Sequence, residues 1–334
     1  MKLEQLLEGV PFTLAQGSLD TEISDIIYDS RKAAPGLLFV CIVGTQRDSH
    51  EFAADCAAKG VSALVIQHDI DLSALPGVTV VKVESSRYAM ALMSANLFGN
   101  PSRKMTMIGV TGTKGKTTTT HMIKSVLEAA GRKVGMIGTN GIYYMGRHKE
   151  TANTTPDAIT TQRTLAAMRD AGVETVAMEV SSIALVLGRV WGIDYDIAVF
   201  TNLTQDHLDF HKTMAKYTEA KAMLFAQLGN KYSADGTNKV AVLNTDDPVG
   251  REFEQYTAAH VLTFGLKPDA MINAQNVEIK SHGTEFDLSV FGHVTHVTMQ
   301  LIGQFNVYNM LAAFAAAYAS GIPEDQIIKS LEKV

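Results

Sequence analysis

The stretch GVTGTKGKTTTT, at residues 109–120, limits most strongly what this chain can fold into. It overlaps the apolar run MIGVT and leads into an amphipathic, helix-like run, KTTTTHMIKSVLEAAG. A strand, a glycine-rich turn and a helix in this order place several backbone N–H groups at the helix N-terminus, where phosphate binds well. We therefore predict a phosphate-binding loop, with Lys116 as a charge for the terminal phosphates and the Thr117 hydroxyl as a ligand of Mg²⁺.

The spacing of this loop differs from the usual pattern, G-x-x-x-x-G-K-[ST]. The residue five positions before Gly115 is Val110, not glycine. Glycine-rich strand–helix turns are common, and a G-K-T triple alone also occurs by chance. The flanking strand and helix are the context that the motif requires, and they favour phosphate binding.

Alternating apolar and amphipathic runs predict the fold class. From about residue 104 onward, nearly continuous apolar strands separated by helices indicate a mostly parallel sheet of the phosphate-loop type, with helices on both faces and a small β-rich patch near the end. Before residue 100, shorter runs indicate a small N-terminal α/β domain. We predict an α/β fold with domains 1–100 and 101–334, joined by the Gly- and Pro-containing segment 98–104. The strands predicted in the larger domain are 107–111, 133–138, 175–180, 196–203 and 239–244.

Composition excludes several classes of partner. The net charge is −6 and no Lys/Arg run stands out, so we expect no nucleic-acid partner. No apolar stretch is long enough to span a bilayer and the N-terminus lacks a signal core, so we expect a cytoplasmic protein without a membrane partner. Cys41 and Cys56 have no C-x-x-C spacing, and we interpret them as two reduced thiols.

Polar groups follow two of the predicted strands, and ligands of open α/β sheets gather at the carboxyl ends of strands. Glu179, in MEVSS, should not be buried unpaired, so we expect a metal or cation partner. The alternative is a structural ion pair. Next come Asp206, His207, Asp209 and His211, in TNLTQDHLDFH.

The two histidines of this segment leave the metal open. His207 and His211 are spaced for one helix face and could bind zinc, but no H-E-x-x-H and no cysteine ligands accompany them. Magnesium beside a nucleotide fits better, although Mg²⁺ prefers oxygen ligands. The alternative for His211 is an exposed loop residue. Lys221 lies on a predicted amphipathic helix, where most lysines extend to water.

Several motifs resemble those of the Mur ligase family, ATP-dependent amide-forming enzymes whose loop reads G-T-x-G-K-[ST]. DSR (29–31), PGLLFVCIVG (35–44) and DSH (48–50) look like the family's uridine-nucleotide-binding domain. The resemblance covers nearly the whole chain, and it makes the short loop spacing the family's own form. The motifs of the larger domain follow one another in the order GTKGKTT, EVSS, TNLTQDHLDFH, AKAMLF, NTDD and GQFNVYN.

The resemblance implies an enzyme of peptidoglycan-precursor synthesis. Within the family, the motifs favour the branch that adds a third amino acid, meso-diaminopimelate or L-lysine, to UDP-MurNAc-L-Ala-D-Glu. ATP would convert the D-glutamate side carboxylate into an acyl phosphate, and the amine of the amino acid would then displace phosphate. The alternatives are the sibling ligase that adds D-Ala-D-Ala and a nucleotide-binding or regulatory module without ligation activity.

The resemblance also implies roles for individual residues. Lys116, Glu179, His207 and Lys221 would be catalytic, and the last three together with Thr117 would hold two Mg²⁺ ions. Lys221 matches a lysine that the family carbamylates with CO₂ to N6-carboxylysine, an anionic oxygen ligand. Because only a neutral amine reacts with CO₂, this lysine requires a lowered pKa.

The remaining implied contacts are to the nucleotide and to the muramoyl substrate. Asn306 has an alternative as a helix N-cap, and Asp246 and Asp247 have one as a helix start. The ATP contacts are Gly112, Thr113, Lys114, Gly115, Lys116, Thr117, Thr118, Asn244, Asn306 and Asn309. The substrate contacts are Ser30, Asn153, Thr154, Thr155, Ser182 and Arg189.

The sequence departs from the family pattern at four positions. Lys114 replaces the usual asparagine and Ile183 the usual histidine, while Ser49 and Lys212 replace glycines. The resemblance further implies a third domain that selects the amino acid and that this sequence does not contain. We therefore expect a monomeric two-domain portion that binds nucleotides and ligates poorly or not at all.

Overall fold

The computed structural model describes residues 1–44, 47–230 and 238–334, which form two compact units. A single cut near residue 100 does not produce these units, because two later segments group with the first one. Buried Ala158 and Ile159, from one of these segments, share an apolar core with Leu3, Leu6 and Val40. The first unit comprises Met1–Pro101, Asp157–Ala167 and Leu187–Ile193, and the second comprises Ser102–Pro156, Met168–Val186 and Asp194–Val334.

The first unit contains a five-stranded sheet in the order β1-β5-β4-β3-β2. Its strands β2 to β5 run parallel, and β1 is antiparallel to β5. The strands β1 and β2 were not predicted because they are short and largely exposed or half-buried. The strands are β1 Thr13–Gln16, β2 Asp25–Ile27, β3 Leu37–Val40, β4 Ala63–Ile66 and β5 Thr79–Lys82, and the helices are α1 Leu3–Leu6, α2 Ala53–Ala58 and α3 Ser86–Leu97.

The remaining elements form the second unit, apart from the N-terminal part of α5, which groups with the first. The helices are α4 Lys116–Ala129, α5 Ala158–Asp170, α6 Ser182–Val186, α7 Leu208–His211, α8 Met214–Ala226, α9 Pro248–Phe253, α10 Gln304–Ala319 and α11 Glu324–Leu331. The strands are β6 Thr106–Thr111, β7 Val134–Gly138, β8 Gly141–Tyr144, β9 Arg147–Lys149, β10 Thr175–Glu179, β11 Ile197–Phe200, β12 Val240–Asn244, β13 His260–Gly265, β14 Ile272–Lys280, β15 Gly283–Val290 and β16 His293–Met299.

The second unit has an eleven-stranded sheet in the order β16-β15-β14-β13-β12-β11-β6-β10-β7-β8-β9. From β14 to β7 in this order, neighbouring strands are parallel, and the strands beyond them on both sides are antiparallel. The predicted α/β class is confirmed, and β6 lies between β11 and β10 within the parallel part. Helix α10 is buried along most of its length, as expected for a helix that is apolar nearly all round. The carboxyl ends of β6, β10 and β11 therefore carry the predicted motifs side by side.

The hairpin of β8 and β9 was not predicted. The residues of β9 are Arg, His and Lys, all exposed, so no apolar alternation marks the strand. No helix within the described ranges is long and apolar enough to cross a membrane.

Candidate functional site

The predicted phosphate loop connects β6 to α4 and depends on two glycines with positive φ. Gly112 has φ +146° and Gly115 has φ +87°, values that side chains of L-residues rarely adopt. A Cβ atom on Gly112 would lie 1.9 Å from the Thr201 hydroxyl, and one on Gly115 would lie 2.3 Å from Asn309 Oδ1. The backbone of the loop therefore approaches its neighbours more closely than any residue with a Cβ allows.

Replacing Gly115 by alanine is expected to destabilise the chain more than replacing Gly131, which has a similar φ of +83° but no atom within 4 Å of the point that a Cβ would occupy. Both substitutions cost about 1–2 kcal/mol for the left-handed backbone. Gly115→Ala adds about 1–3 kcal/mol because buried Asn309 must move. Free energies of unfolding from urea titrations measure the difference, and equal losses in the two variants would show that the close approach to Asn309 is unimportant.

The segment after β11 holds the loop in shape. Asn202 accepts the Thr113 N–H at its backbone oxygen (2.8 Å) and the Lys114 N–H at Oδ1 (3.0 Å). The Lys114 carbonyl in turn accepts from the Thr201 hydroxyl (2.7 Å) and Asn202 Nδ2 (3.0 Å). Asn202 was not singled out from the sequence, although it is the second residue of the TNLTQDHLDFH motif.

Two lysines converge on one carbonyl of the loop. The ammonium groups of Lys116 and Lys221 donate to the Gly112 oxygen over 2.9 and 2.8 Å, and Lys116 also donates to the Thr113 oxygen over 3.0 Å. Lys221 is 1% exposed and therefore does not extend to water. Its Nζ lies 4.6 Å from the centre of the Tyr217 ring. Tyr217 was not predicted as a site residue.

The environment of these lysines lowers both pKa values. Burial is the main cause for Lys116. For Lys221, burial and then the charge of Lys116 hold the pKa well below 10.5. A lysine that is neutral at ordinary pH is the form that reacts with CO₂.

Glu179 ends β10 and is 1% exposed. Both of its carboxylate oxygens accept from the Thr117 hydroxyl at 3.0 Å. Thr139 adds its N–H at 2.9 Å and its hydroxyl at 3.2 Å. Among the described residues, Glu179 forms no ion pair with Lys, Arg or His, so the alternative of a structural ion pair is wrong. A buried carboxylate whose donors in this part of the chain are neutral suits a bound cation.

The two histidines of TNLTQDHLDFH have different surroundings. His207 precedes α7 with φ +50°, and its half-exposed ring lies 3.9 Å from Asp206 and edge-on to Tyr217. His211 is buried, with Nε2 2.8 Å from the Ser182 hydroxyl. Its alternative as an exposed loop residue is therefore wrong. Burial, and then the charges of His207 and Lys221, lower the pKa of His211.

Zinc ligation by these two histidines is not supported. The described residues contain one cluster of three side chains with metal-ligand spacing, Asp48, His50 and His68 in the first unit. Even there, His50 Nε2 accepts the Gln67 N–H, so Nδ1 carries the proton and bonds to Asp48. Neither nitrogen of His50 has a lone pair left for a metal.

A cleft of about 590 Å³ lies beside the phosphate loop. In it, Asn244 donates to the Thr201 carbonyl over 2.7 Å. Phe305 is 69% exposed in the same cleft. Phe305 and Tyr308 were not predicted, although their spacing of three on α10 places them on one helix face. The lining residues are Lys114, Gly115, Asn202, Leu203, Asn244, Asp246, Asp247, Pro248, Phe305, Tyr308 and Asn309.

The N-terminal ends of α10 and α9 decide two alternatives that the sequence left open, for Asn306 and for Asp247. Asn306 lies inside α10, whose N-cap is Gly303, so its alternative as an N-cap is wrong. Asn306 instead accepts from Asn309 Nδ2 over 3.2 Å. Asp247 caps α9 by accepting the Val249 N–H at 3.0 Å, as the alternative of a helix start predicted.

The predicted substrate residues fall in both units. In the second unit, Thr155 donates to the Glu179 carbonyl over 2.9 Å, and the hydroxyls of Thr154 and Thr139 lie 3.0 Å apart. Asn153 is exposed. Ser182 begins α6, while Ser30 and Arg189 belong to the first unit. Thr118, which was predicted as an ATP contact, lies in the first turn of α4.

Two departures from the family pattern have visible consequences. Lys212 has φ +68°, a conformation that favours the glycine it replaces. Ser49 uses its hydroxyl to accept the Ile42 N–H at 2.6 Å. Ile183 is half-buried in α6.

A model of the Mur ligase middle domain matches residues 110–317. The chain is 70% identical over 336 residues to the UDP-N-acetylmuramoyl-L-alanyl-D-glutamate–2,6-diaminopimelate ligase of Lactiplantibacillus plantarum, a match that covers 100% of this chain and 67% of that protein. The ligase of the same name from Listeria monocytogenes is 44% identical with the same coverage. A solved structure of a ligase of this name has a TM-score of 0.86 at 26% identity, and the match covers 100% of this chain and 66% of that one. The chain thus spans about two thirds of the length of these relatives.

Proposed function

The chain belongs to the Mur ligase family, and from this premise we propose that it carries the nucleotide and metal site of a ligase that adds 2,6-diaminopimelate to UDP-MurNAc-L-Ala-D-Glu. The family predicted from the ordered motifs is confirmed by the matched domain and by the identity to the Lactiplantibacillus ligase. The names of the relatives point to diaminopimelate as the added amino acid. The motifs alone left diaminopimelate and lysine open.

The observation that carries the proposal is the buried Glu179 carboxylate, which is bonded to Thr117 of the phosphate loop and has no Lys, Arg or His at ion-pair distance in the described ranges. Glu179, Thr117, His207 and a carbamylated Lys221 are the residues that would hold Mg²⁺. When bound, Mg²⁺ neutralises charge on the phosphates of ATP. The chain's own part is to present the loop N–H groups and the Lys116 charge to those phosphates.

A cleft of about 890 Å³ in the first unit supports binding of the uridine nucleotide. Ser30 lies in its wall beside Arg31 and Lys32, and Arg47 and Arg163 line the same cleft. One guanidinium group can donate two parallel hydrogen bonds to the oxygens of a phosphate, so the arginines of this wall suit a nucleoside diphosphate. The cytoplasmic location, the monomeric state and the poor ligation by this chain stay predictions.

Calorimetry tests the proposal directly. UDP-MurNAc-L-Ala-D-Glu is expected to bind the chain in the presence of a non-hydrolysable ATP analogue, and Mg²⁺ is expected to strengthen analogue binding roughly 10-fold or more. In Glu179→Gln the strengthening by Mg²⁺ should disappear, because a neutral amide keeps the shape but not the charge.

The same titrations separate the alternatives. The sibling that adds D-Ala-D-Ala would bind the tripeptide nucleotide in preference to the dipeptide. A module without ligation chemistry would bind the analogue but neither muramoyl nucleotide. Strengthening by Mg²⁺ that is unchanged in Glu179→Gln would remove Glu179 from the metal site.

A further inference from the structure

The backbone of Lys114 is held by hydrogen bonds, whereas its side chain is largely exposed. Its N–H donates to Asn202 Oδ1, and its carbonyl accepts from the Thr201 hydroxyl and from Asn202 Nδ2. Its side chain, in contrast, is 75% exposed and extends from the wall of the nucleotide cleft. The ammonium group can therefore move without any change in the loop.

The present partner of this ammonium group is Asp206. Lys114 Nζ lies 3.2 Å from Asp206 Oδ2, while Oδ1 of the same carboxylate accepts the His207 N–H at 2.9 Å. Water screens an ion pair at such an exposed position, so the pair is weak. A phosphate group with more than one negative charge competes well for the same lysine.

Two further lysines that contact the loop are engaged differently. Lys116 and Lys221 both donate to the Gly112 carbonyl. Among the described residues, neither of them forms an ion pair with a carboxylate. Lys114 is thus the loop cation that must leave a carboxylate before it can meet a nucleotide.

We propose that Lys114 exchanges its partner when a nucleotide binds. Without nucleotide it pairs with Asp206, and with nucleotide it pairs with a β- or γ-phosphate oxygen. The exchange leaves the Asp206 carboxylate bonded to the His207 N–H but without its lysine. This inference rests on the proposed nucleotide site and assigns to Lys114 and Asp206 a role in phosphate selectivity.

Calorimetry with a non-hydrolysable ATP analogue and with AMP, both without Mg²⁺, measures the exchange. Lys114→Asn is expected to bind the ATP analogue about 10-fold more weakly, with AMP affinity within about 2-fold of wild type, because only the longer phosphate chain meets the lysine. Lys114→Arg keeps the cation and should stay near wild type. Lys124→Asn removes a lysine paired with Glu128 on the same unit and serves as the matched control.

Asp206→Asn provides the second test, because asparagine can still accept the His207 N–H. Removing the competing carboxylate should tighten binding of the ATP analogue about 3- to 10-fold, and this gain should vanish in the Lys114→Asn, Asp206→Asn double variant. Equal affinity of wild type and Lys114→Asn, or weaker binding by Asp206→Asn, would overturn the exchange alone. Absence of any analogue binding by wild type would overturn the proposed function together with it.

Discussion

Replacing Lys221 by alanine is expected to reduce ADP release that depends on UDP-MurNAc-L-Ala-D-Glu and diaminopimelate roughly 10³-fold. Acetate or formate should restore part of the rate. The assay uses a version of the chain that also carries the remaining third of the relatives' length. In the same preparation, a ¹³C NMR signal from a carbamate should appear with ¹³C-bicarbonate and be absent from the variant.

The physical reason lies in the charge that this position must supply. Unmodified Lys221 places an amine beside the cation Lys116, both within hydrogen-bond distance of the Gly112 oxygen. An amine there supplies no negative charge to a metal ion, whereas a carbamate offers oxygen ligands with negative charge. Alanine leaves space in which a small carboxylate can take the same place.

Two further variants separate this role from folding. Lys221→Met fills the buried site with an apolar chain and should change the free energy of unfolding by less than about 1 kcal/mol while remaining inactive. Lys216→Ala changes an exposed lysine of the same helix and should keep wild-type activity. Full activity of Lys221→Ala without any added carboxylate would exclude a carbamate at this position.

The strands and the phosphate loop could be predicted because their signals are local. The run from Thr106 to Thr111 is mostly apolar, and Gly112 and Gly115 after it have positive φ angles that other residues rarely adopt. The ends of these strands then place Glu179 and the His207 segment near the loop through the parallel pairing of β10, β6 and β11. Parallel order is thus enough to bring distant motifs together.

Contacts between residues far apart in sequence could not be predicted in this way. The hydrogen bond between Ser182 and His211 joins positions 29 residues apart, and neither residue has a pattern that points to the other. Tyr217 looked like an ordinary apolar residue of an amphipathic helix, yet its hydroxyl lies 3.2 Å from Thr113 and its ring contacts Lys221. Packing selects such partners, and periodicity carries no information about them.

Replacing Lys116 by methionine is expected to weaken binding of a non-hydrolysable ATP analogue by about 10²–10³-fold. In the structure, the Lys116 ammonium group donates to the Gly112 and Thr113 carbonyls, which holds it against the backbone of the loop. Methionine retains the length of the side chain but supplies no charge to the phosphates. Calorimetry with the 334-residue chain measures the change.

Comparison with AMP shows whether charge or loop shape is responsible. If Lys116 acts on the terminal phosphates, Lys116→Met should lose far less affinity for AMP than for the ATP analogue. Equal losses for both ligands would mean that methionine distorts the loop, since the Gly112 oxygen would lose its bond from Lys116 and keep the one from Lys221. Lys116→Arg sharpens the distinction, because it keeps the charge but presents a wide, planar group where the two carbonyls hold a compact ammonium. We therefore expect the affinity of Lys116→Arg for the ATP analogue to lie between those of wild type and Lys116→Met. An affinity equal to that of wild type would show that any cation suffices at this position.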